Sequence, residues 1–97
     1  MVLEVAVFNI VPGQEAEFAA AYAEAREMLV STPGFHSARM TRGIESPSRF
    51  VLLVEWDSLD AHTVNFRRSE RFQTWRGLLS PHFDGQPSTE HFLDLAA

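Results

Sequence analysis

The sequence predicts an α+β fold with strands and helices in the order β-α-β-β-α-β, and three observations predict it. Two stretches, Val2 to Ile10 and Arg49 to Trp56, are rich in Val, Ile, Leu and Phe and place alternate residues on opposite faces, as a strand does. Between them, Gln14 to Val30 repeats its apolar residues at Phe18, Tyr22, Ala25 and Leu29, the spacing of one helical face. The pairs Pro12-Gly13 and Pro33-Gly34 punctuate both ends of that helix, where the chain must turn.

Each element has its own local reason. The first strand, Val2 to Ile10, stops at Pro12-Gly13. The helix that follows carries Glu15 and Glu17 in its first turn, where the helix dipole favours acids. After Pro33-Gly34, Phe35 to Arg42 alternates as a second strand, and Gly43 to Ser48 has the composition of a hairpin loop. Arg49 to Trp56 is the third strand, the return arm of that hairpin. Asp57 or Ser58 caps the next helix, with Asp60 near the third position as in a capping box. A second cap at Ser69 divides that helical region in two. Pro81 to Pro87 reads as a loop, and Thr89 to Leu95 as the last strand. No internal repeat or low-complexity segment interrupts this order, so residues 1–97 are expected to form a single domain.

This order is the ferredoxin-like βαββαβ arrangement, an antiparallel sheet with helices on one face. Along Phe50 to Trp56, the residues Phe50, Leu52, Val54 and Trp56 make one apolar face for the helices to cover. Val51 and Leu53 make the opposite face nearly as apolar. The first strand repeats the pattern, with Leu3, Val5 and Val7 opposite Val2, Ala6, Phe8 and Ile10. Strands that are apolar on both faces belong to sheets buried on both sides. Nothing else in 97 residues remains to cover the second face, so a second copy in a two-fold homodimer is expected.

Composition narrows the function classes. The net charge of −5 disfavours a nucleic-acid partner. No apolar run is long enough to span a bilayer and the first residues lack a signal-peptide layout, so no membrane partner and a cytoplasmic location are expected. There is no cysteine, which removes disulfides, thiol nucleophiles and thiolate metal sites. All eight basic residues are arginine, so a lysine Schiff base is excluded. His36, His82 and His91 show no ligand spacing such as HxH or HxxxH, and no metal is expected. The serines Ser58, Ser69 and Ser80 read as caps and loop residues, with no nucleophile motif around them.

The run Glu55-Trp56, Asp57-Ser58-Leu59, Ala61-His62, Asn65-Phe66, Ser69, Phe72 and Trp75-Arg76 resembles the antibiotic biosynthesis monooxygenase family of small dimeric α+β barrels. Pro12-Gly13, Pro33-Gly34-Phe35 and the closing strand extend the resemblance over essentially the whole chain. The family includes polyketide-oxidising enzymes, haem-degrading enzymes and autoinducer-processing isomerases. In its haem-degrading branch, an asparagine, a tryptophan and an iron-ligating histidine occupy the positions that are Ala6, Phe66 and Arg76 here. A guanidinium offers iron no lone pair, so haem degradation is disfavoured. The cofactor-free branch, which oxidises anthrone-like polyketides with dioxygen, has an asparagine and a tryptophan on the third strand, then a tyrosine and an arginine. Trp56 and Arg76 match that pattern, His62 replaces the tyrosine, and Leu52 stands in place of the asparagine.

The resemblance therefore implies a cofactor-independent monooxygenase acting on an aromatic or quinol-type metabolite. Its pocket would lie between sheet and helices, lined by Phe8, Leu52, Trp56, His62, Phe66 and Arg76, with Asn65 nearby. His62, which titrates near neutral pH, is the candidate for proton transfer. Arg76 is the candidate for oxyanion stabilisation, and Trp56 could stack on a flat substrate. Plainer roles stand beside these: Trp56 and Trp75 also suit a core, His62 a solvated helix face, and Asn65 a bond to a loop. Arg67, Arg68 and Arg71 read as a solvated surface or as dimer salt bridges. Two other functions share the pocket: oxygen-independent isomerisation of a small carbonyl metabolite, and ligand binding without catalysis.

Overall fold

The structure, a computed structural model, describes residues 1–96. Strand β1 (Val2–Asn9) leads into helix α1 (Glu15–Val30), followed by the hairpin of β2 (Phe35–Arg42) and β3 (Arg49–Trp56). A π-helical segment, Ala61–Phe66, precedes α2 (Glu70–Leu79), a 3₁₀ turn at Ser80–His82 and β4 (Ser88–Phe92). The four strands form one sheet in the order β2-β3-β1-β4, and all neighbours are antiparallel. No helix among the described residues is long and apolar enough to cross a membrane.

The alternation seen in the sequence sorts the two faces as expected. Phe50, Leu52, Val54 and Trp56 on β3 are buried beneath the helices, together with Ala6, Phe8 and Ile10. Phe18, Ala25 and Leu29 bring α1 onto that face, and Tyr22 packs edge-on against Trp75 of α2, 6.0 Å between centroids. Burying an aromatic or Leu side chain of this kind contributes about 1.5–3 kcal/mol. The opposite face, with Val5, Val7, Val51 and Leu53, stays partly exposed.

Several boundaries differ from the expectation for identifiable reasons. β1 ends at Asn9, and Ile10 forms only an isolated bridge to Phe83. β4 begins at Ser88 and ends at Phe92, short of Leu95, because Phe92 pairs with Leu3 and β1 has only Val2 beyond it. Ser58, not Asp57, caps the helical region: its Oγ accepts the Ala61 N–H at 3.2 Å. That puts Ala61, and not Asp60, at the third position, so no capping box closes. Ser69 divides the region as expected and sits at the N-cap position of α2, although its side chain makes no cap bond to that helix. Its hydroxyl donates to the Phe66 carbonyl at 2.6 Å and so closes the π-helical segment before α2 begins.

Candidate active site between the sheet and the second helical region

Inward alternation along β1 brings Glu4, Ala6 and Phe8 under the helices in sequence. The antiparallel register then sets His91 opposite Glu4 and Thr89 opposite Ala6 on β4. Above them, the π-helical segment turns His62 and Phe66 inward, both nearly fully buried. Between these layers lies a cavity of about 570 Å³, within the range of small-molecule sites. Its apolar wall includes Phe8, Phe66, Phe72 and Trp75, and its polar wall includes Glu4, His62, Arg67 and Arg76.

The polar wall contains a chain of contacts. Glu4 is only 5% exposed. Trp56 donates its Nε1–H to Glu4 Oε1 at 3.0 Å, and His62 Nε2 lies 3.4 Å from the same oxygen. On its other side, His62 Nδ1 is 2.7 Å from His91 Nε2. The His62 ring stacks on Trp56, with centroids 5.4 Å apart and planes inclined by 19°. Phe66 lies on the ring as well, at 6.2 Å and 27°.

Burial governs the protonation of this chain. It pushes the Glu4 carboxyl above its ordinary value, although the Trp56 hydrogen bond and the Arg67 charge pull the other way. Burial also drives His62 down to about 3, with the charge of Arg67 and the neighbouring His91 adding to the effect. His91 is lowered for the same reasons, burial first and then Arg67. Near neutral pH, His62 is therefore an uncharged imidazole. It can accept a proton on one nitrogen while donating from the other.

The residues singled out in the sequence divide into two groups. Phe8, His62, Phe66 and Arg76 line the cavity together. Leu52 and Trp56 do not: they are 1% and 0% exposed, part of the core behind the wall, and Trp56 reaches the site through Glu4, His62 and Phe66. Asn65 points elsewhere, donating from Nδ2 to the Pro33 carbonyl at 3.0 Å. Arg67, expected on a solvated surface or in a dimer salt bridge, is exposed and also lines the cavity.

Sequence reasoning passed over Glu4 and His91. Glu4 had a legible signal, being the one charged residue among the inward positions of a strand otherwise apolar there. His91 had none beyond its strand, because its place beside His62 depends on pairing with a strand more than eighty residues away. The other two histidines lie apart, His36 paired with Asp57 and His82 with Gln14. Among the described residues, no three His, Cys, Asp or Glu side chains are arranged to hold a metal ion. Glu4 and His91 meet opposite nitrogens of His62, so the three do not converge on one point.

Comparison with known proteins agrees with this architecture. The family model described as antibiotic biosynthesis monooxygenase matches residues 1–78. The uncharacterized protein YczJ of Bacillus subtilis (strain 168) is 35% identical over 95 residues, 98% of this chain and all of that protein. A crystal structure from Bordetella bronchiseptica, solved under the same family name, is 37% identical with a TM-score of 0.94, covering 98% of this chain and 97% of that one. SnoaB, a cofactor-independent oxygenase from Streptomyces nogalater, shares the fold at 22% identity, with a TM-score of 0.81 over 99% of this chain and 94% of its own.

Proposed function

The chain belongs to the antibiotic biosynthesis monooxygenase family, and from that premise we propose that it is a cofactor-independent monooxygenase of an aromatic or quinol-type metabolite. The observation that carries this reading is the cavity itself. Phe8, Phe66 and Trp75 give it an apolar lining suited to a flat ring, and an uncharged imidazole and two guanidiniums line the same cavity. The description of SnoaB as a cofactor-independent oxygenase supports the reading.

An activated ring methylene of the anthrone type needs little beyond this. Loss of a proton to the His62 side of the cavity leaves an enolate, whose oxygen Arg76 stabilises as charge develops. The enolate passes one electron to dioxygen, and the two radicals combine as a carbon-bound peroxide. Protonation of the peroxide and loss of water then leave the ketone. The methylene and one dioxygen become a carbonyl and one water. The same proton-handling wall also favours a second reading, isomerisation of a small carbonyl compound, in which a proton moves between carbons without dioxygen. Either way, we place the working unit as a homodimer whose copies cover the apolar outer face of the sheet.

Oxygen uptake by purified, chelator-treated protein against anthrones, hydroquinones and naphthols tests the oxidation. The expected result is uptake that requires a substrate and falls about 10²-fold in both His62→Ala and Arg76→Ala. Uptake equal to the protein-free rate across the panel, with turnover of a carbonyl substrate under argon, would replace the oxygenase by the isomerase.

A further inference from the structure

We infer that Glu4, His62 and His91 form a proton relay from the cavity to the edge of the sheet, with Glu4 as the base that first receives the substrate proton. The inference rests on the proposed reaction only for the source of that proton. It stands on three observations of geometry. Glu4 and His62 both line the cavity. Glu4 Oε1, the two nitrogens of His62 and Nε2 of His91 follow one another at 3.4 Å and 2.7 Å. His91 is partly exposed on β4, an edge strand.

The protons balance along this path. Ready to receive a proton, with Glu4 ionised, both imidazoles carry their hydrogen on Nδ1, so His62 Nδ1–H donates to His91 Nε2 and His62 Nε2 stays free towards Glu4. When the substrate proton reaches Glu4, the carboxylic acid needs an acceptor. His62 turns over to its other tautomer, taking the proton on Nε2 and giving one from Nδ1 to His91. His91 releases a proton to water from its outer nitrogen. Glu4 returns to carboxylate, both imidazoles are left neutral with their hydrogen on Nε2, and one proton has left the cavity. Once product leaves and water re-enters, the same transfers run backwards and Glu4 gives its proton to cavity water, which resets both rings. The 3.4 Å step is longer than a hydrogen bond and closes with a small side-chain shift, as is common in unliganded sites.

The surroundings suit passage rather than storage. Trp56 holds Glu4 Oε1 with its N–H and underlies the His62 ring, which orients both transfer partners. Arg67, the charged group felt by all three members, discourages a resting cation on either imidazole and favours Glu4 as carboxylate. Arg76, on the same cavity wall, completes the set of charged groups that face the path. A relay is also needed on steric grounds. Once a flat substrate fills the cavity and excludes water, the proton on Glu4 has no exit through the cavity.

Two measurements decide it. The first uses the unmodified protein without substrate and follows the ring nitrogens by ¹⁵N NMR across pH. His62 should remain neutral and populate the Nδ1–H tautomer, which leaves Nε2 free for the Glu4 proton; the Nε2–H tautomer alone at every pH overturns the relay. The second follows turnover. Glu4→Gln should lose about 10²-fold, and His91→Ala about tenfold with recovery when imidazole buffer is added. An undiminished His91→Ala rate overturns the relay as well. The Nδ1–H tautomer without oxygen uptake supports the relay and counts against the oxidation alone.

Discussion

A carboxyl placed almost out of reach of water sets the character of this site. Desolvation penalises the ionised forms of Glu4 and of His62, while the Trp56 hydrogen bond and the Arg67 charge work back in favour of the Glu4 carboxylate. Both shifts link stability to pH, with opposite signs. His62 falls from an ordinary 6.5 to about 3 on folding, so its contribution is present above 6.5 and lost as pH drops towards 3. His91 shifts in the same direction. Glu4 is raised above 4.5, so its contribution is full below 4.5 and is lost as pH rises through the raised value. The shift of His62 is the large one, and it sets a net loss of stability on acidification. Thermal melts should therefore drop between about pH 6.5 and pH 4, and His62→Phe, which keeps the aromatic stack, should flatten that drop. An unchanged slope in the variant would remove His62 from the account.

At the scale of elements, the site depends on a π-helical turn held against a glycine. The Arg67 N–H bonds to the His62 carbonyl at 3.0 Å, five residues back, which is the wide register of a π turn. Ala61, at the start of that turn, sits directly over Gly34 at the entry to β2, whose φ is +94°. A Cβ at Gly34 would come 2.6 Å from Ala61 Cβ, so the turn would have to move away from the sheet, His62 with it. Gly13 shares the left-handed backbone, at +95°, but faces open space. Gly13→Ala should therefore cost only the conformational penalty of about 1–2 kcal/mol. Gly34→Ala should cost clearly more and shift the His62 ring resonances, as denaturant melts and NMR of the pair would show. Equal costs would mean that the contact with Ala61 is soft.

For the whole molecule, the question is what lies against the outer face of the sheet. Val5 pairs with Leu53 and Val7 with Val51 across the β1–β3 register, so four aliphatic side chains form its centre. They are partly exposed in a single chain. A chain of this length buries only about 60–70% of its unfolded surface, and an apolar sheet face left open is a liability that a second copy removes. Sedimentation should show a dimer for the native protein and a monomer for Leu53→Glu. The introduced carboxylate can pair with Arg39, opposite Leu53 on β2, so the protomer itself should still fold. A native chain that sediments as a monomer at micromolar concentration would overturn the dimer.

The sequence by itself determined the strands, the first helix, the turns between them and which strand face turns inward. These follow from alternation, helical spacing and Pro-Gly pairs, all set by residues within one element. It also marked Arg76, which follows the core residue Trp75, and, through the family resemblance, His62 for the cavity wall. Only the tertiary structure decided that Leu52 and Trp56 lie behind that wall, because depth depends on what packs above them. The π register was likewise hidden, since Ala61–Phe66 reads as an ordinary helical run. The meeting of Glu4, His62 and His91 was the least legible of all. It joins the first strand, the second helical region and the last strand, and no local pattern encodes a register between the two ends of a chain.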